Sequence, residues 1–536
     1  MKIYIALFIV LINFKILFSG SGDSLLFYNW HNLSLEDDSV PGISTEKAYK
    51  ELLKDKIPKK VIVAVIDGGV DINHEDLKGK IWVNRKEIAG NGIDDDNNGY
   101  IDDINGWNFL GNEKGDNINE ETLEVTRLYG MMKKEFESYG KKIPYARKKE
   151  YKEFLKVKEA YEKGLKKVYN EYNSIQNIIK KYNTSDSIIK NYLRKDSISL
   201  TDLQNIGKVK NKKIQEAKNL MMTFLLFDFK PENLNDHIEY LQRRIKYHYN
   251  PDFNPRQIVG DNPFDINDSI YGNNDVIGPS ADHGTGVASV IAAVRNNNIG
   301  INGIVDSVEI MVIRAVPDGD ERDKDIALAI RYAVNNGAKI INMSFGKEFS
   351  PQKHLVDEAL KYAEKNDVLI IHAAGNEGTN TDKKPRYPYN FDDKKNLLTN
   401  TFINVGASTR YINLSLPAYF SNYGKNSVDV FAPGQDIYTC IPGNKYKTMS
   451  GTSLAAPVVA GAAALLKSLY PDLTAKEIKQ ILNKSVTYIG DNKVFLPDDR
   501  NKRAKKIKFK SLCSSGGIIN VYNAIKLCEE LYQLKN

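Results

Sequence analysis

Val61-Ile62-Val63-Ala64-Val65-Ile66 is an apolar run with no polar alternation. Such a run reads as a strand buried on both faces, which happens in a parallel sheet covered by helices on each side. Similar runs recur at 308–315, 338–343, 368–374 and 402–407. Helical patterns at 324–335 and 355–365 lie between them. Strands alternating with helices of that length predict βαβ units, so the fold class is α/β with a mostly parallel sheet. The chain has 536 residues, too many for one ordinary core, so this sheet accounts for only part of it.

Composition excludes several classes. Hydrophobic residues make up 42% and charged residues 27%, which fits a soluble globular protein and not a disordered or fibrous one. Three cysteines exclude a disulfide scaffold and a multi-cysteine zinc site. Cys513 and Cys528 could pair and leave Cys440 over, or all could stay as buried thiols; both alternatives remain open. At the N-terminus, Lys2 precedes an apolar stretch from Ile3 to Phe18 and the small residues Ser19-Gly20-Ser21-Gly22. That is the pattern of a signal peptide over 1–21, implying export to the medium, the periplasm or the cell surface. An uncleaved N-terminal anchor is the alternative. An N-terminal arm, 22–58, follows, and 531–536 form a C-terminal tail.

The net charge of +7 is unevenly placed. Residues 111–250 hold 29 basic and 20 acidic side chains, so all the excess positive charge sits there. Val157, Tyr161, Leu165, Val168, Tyr172, Ile175 and Ile179 fall on one helical stripe. Asn183-Thr184-Ser185-Asp186 reads as a turn with a helix cap. The segment is therefore expected to be a lysine-rich helical insertion, either simply solvated or a docking surface for proteins. Nucleic-acid binding is not expected, because acids interleave the bases and no recognition motif accompanies them.

Three separated segments carry chemistry. Asp67 ends the first apolar strand and is followed by Gly68-Gly69, where open α/β sheets place ligands. His283 lies in Asp282-His283-Gly284-Thr285-Gly286 at the start of an apolar helix. Ser453 lies in Ser450-Gly451-Thr452-Ser453-Leu454-Ala455-Ala456-Pro457 at the first turn of a small-residue helix, in its positive N-terminal field.

Together these segments resemble the subtilisin-like serine proteases, the subtilases, whose triad runs Asp, His, Ser along the chain. The resemblance covers 59–110 and 251–530, a catalytic domain split by the insertion. It implies Asp67, His283 and Ser453 as the triad and Asn376, in Ala374-Gly375-Asn376-Glu377, as an oxyanion donor. Ser344, Phe345 and Gly346 match the segment that pairs with substrate and walls the pocket for the residue before the cut. Gly68 departs from the family, which usually has a hydroxyl residue there; Gly286 and Leu454 replace a frequent histidine and methionine. The arm is also short beside the family's usual inhibitory prodomain. The implied function is an exported serine endopeptidase acting on proteins or peptides. The alternative is a catalytically weak scaffold that binds proteins through the insertion.

Asp94-Asp95-Asp96-Asn97-Asn98-Gly99-Tyr100-Ile101-Asp102 spells the first nine positions of an EF-hand-like loop. Asp94, Asp96, Asn98, the Tyr100 carbonyl and Asp102 are the expected donors to a structural calcium ion. Position twelve is Asn105, so either affinity is lower or Asp103 completes the shell; an acidic surface loop without an ion is the other alternative.

Overall fold

The computed structural model describes residues 28–139, 142–498 and 505–533. The signal peptide expected over 1–21 lies outside these residues, as does 534–536 of the tail. Two compact units are present. Among the described residues the smaller is Val125–Phe253, and the larger joins 28–124 with the chain from Asn254 onward.

The larger unit is built on a nine-stranded sheet among the described residues. In chain order its main strands are β1 (Val61–Asp67), β2 (Gly106–Asn108), β3 (Val308–Arg314), β4 (Ile340–Met343), β5 (Leu369–Ala373), β6 (Phe402–Ser408) and β7 (Val430–Pro433). They lie side by side as β7-β6-β5-β4-β1-β3-β2, all parallel, and the short strands Gly517–Ile518 and Thr487–Tyr488 extend the β7 edge. The chain leaves β1 toward β2 and β3 on one side and returns to β4 on the other. The strand order therefore reverses at β1, where the carboxyl ends open a crevice.

The unbroken apolar run of β1 follows from its two partners in packing. Val61, Val63 and Val65 enter the core beneath the helices Asp282–Ala292 and Thr452–Leu469, while Ala64 and Ile66 enter the core beneath Asp323–Asn335 and Lys353–Lys365. Alternate residues point to opposite faces, and here both faces are dry. The helix Thr452–Leu469 is long and apolar enough to cross a membrane, yet 83% of it is buried within the fold. It is a core helix.

The N-terminal arm is part of this core. Trp30 is 1% exposed and donates its indole N–H to the Asp436 carbonyl at 3.0 Å. Ile43 and Ala48 join the core beneath Asp282–Ala292 and Thr452–Leu469, and Glu46 pairs with Arg295 at 2.8 Å. Cys440, Cys513 and Cys528 are all buried free thiols, so Cys513 and Cys528 do not pair here.

A buried ionic cluster fastens the chain where it re-enters after the smaller unit. The Arg256 guanidinium makes two 2.7 Å bonds to the Asp325 carboxylate and a further fork to Asp261, and Lys324 Nζ meets Asp261 at 2.8 Å. Replacing one member strands its partners' charges in a dry site. Arg256→Leu is expected to cost about 3–5 kcal/mol in a urea-unfolding measurement. A loss under about 1 kcal/mol would contradict this.

In the smaller unit the helix Lys148–Leu193 runs for 46 residues. Phe154, Val157, Tyr161, Val168 and Ile175 are its buried stripe, and Leu165, Tyr172 and Ile179 are half-buried. The turn expected at 183–186 is absent, because the helix continues through it. Tyr182 packs on Phe224 and Phe229 at 5.2 and 5.9 Å between ring centres, and that packing outweighs the local turn preference of Asn183 to Asp186. Residues 111–124, assigned to the insertion from charge, belong to the larger unit instead: Lys347 Nζ bonds Glu124 at 2.9 Å and Arg322 bonds Glu121 at 2.9 Å.

Candidate active site

Three strand ends form the floor of the site. Asp67 ends β1, Ser344 follows β4, and Gly375-Asn376 follow β5; these strands are neighbours in the order β5-β4-β1. Parallel strands place their carboxyl ends on one edge, so three sequence-distant segments converge there.

His283, in the first turn of Asp282–Ala292, sets Nδ1 2.9 Å from both carboxylate oxygens of Asp67. Asp67 is nearly buried, whereas the His283 side chain is 40% exposed. Partial burial pulls the imidazole pKa down, but the charge of Asp67 and its hydrogen bond outweigh this, and the net shift is upward. Asp67 Oδ1 also accepts the Gly68 N–H at 2.8 Å, a backbone donor at the place where the side-chain hydroxyl is missing. Gly284 allows this approach: a Cβ there would lie 2.1 Å from the Gly69 carbonyl oxygen and 3.1 Å from the Asp67 Cβ. Gly284→Ala must therefore push the helix away from β1. Activity is expected to fall at least about tenfold with the fold retained, read as kcat/KM beside circular dichroism.

Ser453 sits in the first turn of Thr452–Leu469, where backbone N–H groups have no intrahelical acceptor. Pro457, four residues on, has no N–H to give the Ser453 carbonyl. Ser344 Oγ donates to that carbonyl instead, at 2.8 Å, and is itself held by Asn342 Nδ2 at 2.9 Å. Asn376 Oδ1 accepts from Thr452 N at 2.8 Å and from Thr452 Oγ1 at 3.0 Å, which leaves its Nδ2 as the outward donor. A Cβ built on Gly451 would lie 2.7 Å from Ser453 Oγ and 3.5 Å from Asn376 Nδ2, so both groups border the space that this glycine leaves open. The Asp67–His283 pair and the Ser453–Asn376–Ser344 group come to one edge because their two helices pack on each other and on β1.

Two partners were not singled out from the sequence. Thr452 ties the Gly375-Asn376 turn to the helix start, its Oγ1 also accepting the Gly375 N–H at 3.0 Å. Asn422 braces the same turn, with Nδ2 on the Ala374 carbonyl at 2.9 Å and on Glu377 at 2.6 Å. The position of Pro457 was a readable sign that the Ser453 carbonyl needs a side-chain donor. Phe345 packs into the core under the outer helices, and Gly346 abuts the Tyr387 carbonyl.

The acidic loop is folded by its own backbone. Asp94 accepts the Asn98 and Gly99 N–H groups at 3.1 and 2.8 Å. One carboxylate oxygen each from Asp94, Asp96 and Glu87 lie within 4.8 Å of one another, so Glu87, outside the motif, joins the group. The Asp102 carboxylate instead accepts the Gly90 and Gly92 N–H groups at 2.7 and 2.9 Å. Asn98 Oδ1 accepts the Tyr100 N–H at 2.8 Å. Asp103 is buried between Tyr332, Asn84 and Asn98, and burial pushes its carboxyl up to about 6.

Comparison with known proteins gives the family. The profile of the Subtilase family matches residues 58–497. A thermophilic serine proteinase of Bacillus sp. (strain AK1) is 36% identical over 276 residues, which are 51% of this chain and 58% of that protein. An intracellular serine protease of Paenibacillus polymyxa is 36% identical over 251 residues, 45% of this chain and 71% of the relative. A solved protease of Pseudoalteromonas arctica PAMC 21717 is 28% identical with a TM-score of 0.37, covering 48% of this chain and 73% of that one. With a family profile spanning most of its length and an aspartate, a histidine and a serine on one sheet edge, the chain belongs to the subtilase family.

Proposed function

We propose that the protein is a serine endopeptidase that cleaves proteins or peptides through an acyl-enzyme. The single observation carrying this is the Asp67–His283 contact at the sheet edge that also holds Ser453 and Asn376. Ser453 Oγ would attack the peptide carbonyl while His283 Nε2 takes its proton. His283 would then protonate the departing amine, and a water activated by His283 would release the acyl group. Asp67 fixes the Nδ1–H tautomer and favours the imidazolium. Asn376 Nδ2 and the Ser453 N–H would donate to the oxyanion. Asn376→Ala is expected to lower kcat roughly 10²- to 10³-fold with KM little changed. The full set of groups speaks against a silent scaffold. Purified protein should release acid-soluble peptides from casein, and a fluorophosphonate should stop it; no release would refute the reading.

Export rests on the N-terminal pattern, and Edman sequencing of protein from the medium or periplasm should begin near Gly22. We also propose that the 94–102 loop binds calcium. Glu87, Asp94 and Asp96 fit a hard cation as oxygen donors, and the ion would be structural. Calcium chloride should raise Tm and a chelator lower it; an unchanged Tm would refute this.

A further inference from the structure

Two chain segments lead away from Ser453. One begins at Ser344, bonded to the Ser453 carbonyl, and continues through Phe345 to Gly346. The other begins at Asn376, bonded to Thr452, and continues to Glu377. Arg386 joins their far ends: its Nη2 lies 2.7 Å from Glu377 Oε1 and 3.4 Å from the Gly346 carbonyl oxygen. The guanidinium thus closes the space between the two segments, one residue beyond Asn376 and two beyond Ser344.

The hydrogen-bond inventory at this end is unequal. Arg386 has five N–H donors, and these two contacts use only Nη2. Its Nε is buried with no hydrogen-bond partner, a costly state. Glu377 is already engaged at both oxygens, Oε1 by Arg386 and Oε2 by Asn422 at 2.6 Å. What remains to be satisfied is donor capacity. Other charges nearby do not compete. Burial lowers His372 to about 4, so this ring beside Gly346 is neutral near pH 7. Lys347 Nζ is turned to Glu124 and Asp323 at 2.9 and 2.8 Å. The Arg386 side chain is 20% exposed, so part of it is open to solvent. A planar guanidinium fork matches a carboxylate.

We propose that Arg386 makes the site select an acidic side chain, glutamate or aspartate, on the residue whose carbonyl Ser453 attacks. The inference rests on the proteolytic reading and names its substrate class. Peptides that differ only at that residue, carrying Glu, Gln, Phe or Lys, test it on the full chain. The wild type should cut the Glu peptide with a kcat/KM at least about tenfold above the Gln and Lys peptides. In Arg386→Ala the Glu-to-Gln ratio should fall to near one, and Arg386→Lys should keep part of it. The Lys variant carries the comparison if the Ala variant fails to fold. A wild type that prefers Lys or Phe, or an Arg386→Ala variant with an unchanged Glu-to-Gln ratio, would overturn the inference and leave the proteolytic reading standing. If no peptide and no casein is cut, and Ser453 takes up no fluorophosphonate, the proteolytic reading fails and the inference falls with it.

Discussion

Ser453→Ala is expected to lower kcat for peptide hydrolysis by on the order of 10⁶-fold, the size found when a serine nucleophile is removed from a triad of this kind. The change should leave the fold intact. The backbone carbonyl of residue 453 would still accept from Ser344 Oγ, and Thr452 would still hold Asn376. Tm should therefore stay close to that of the wild type while turnover collapses. The remaining rate, roughly 10³- to 10⁴-fold above water, would come from the oxyanion donors and substrate binding. Titrating both proteins with a chromogenic peptide at saturating concentration separates this from a binding defect, because only kcat should move.

Asp67→Asn is expected to lower kcat/KM on the order of 10⁴-fold. The aspartate both orients His283 Nδ1 at 2.9 Å and supplies the negative charge that lifts the imidazole pKa. In the wild type His283 must be neutral to accept the serine proton. Activity should therefore rise with pH through a limb whose midpoint lies above the ordinary imidazole value of about 6.5. Without the charge, only the burial of the ring remains, and burial disfavours the imidazolium. The limb should then move to lower pH, in the opposite direction from the wild-type shift. A pH profile of kcat/KM for both proteins reads this. An Asn variant that keeps the wild-type limb would show that Asp67 does not govern His283.

The parts of the fold written in local pattern were legible in the sequence. The apolar runs of β1, β3, β4, β5 and β6 mark strands buried on both faces, and the helices between them follow. Asp67, His283 and Ser453 stand in motifs whose glycines and helix starts mark strand ends and helix beginnings, and those elements are where the sequence put them. Legibility ended where the cause is tertiary. Nothing local to Asn183 to Asp186 reveals that Phe224 and Phe229 will pack against Tyr182 and keep the helix going. Charge put 111–124 with the lysine-rich segment, but Glu121 and Glu124 are buried and find cations in the larger unit. In the acidic loop, Asp94 and Asp96 bring carboxylate oxygens close together. Asp102 departs from that group because the Gly90 and Gly92 N–H groups engage its carboxylate, and Glu87 joins from seven residues upstream of Asp94. Arg386 was invisible for the same reason: its meaning comes from Glu377 and Gly346, which are brought to it by different strands.

The central claim is that Ser453 is a nucleophile activated at this sheet edge. Incubating the full chain with a fluorophosphonate and mapping the adduct by tandem mass spectrometry tests it most directly. One stoichiometric adduct on Ser453 is expected, formed faster as pH rises through the His283 limb and nearly lost in His283→Ala. An adduct on another serine, or none on folded protein, would contradict it.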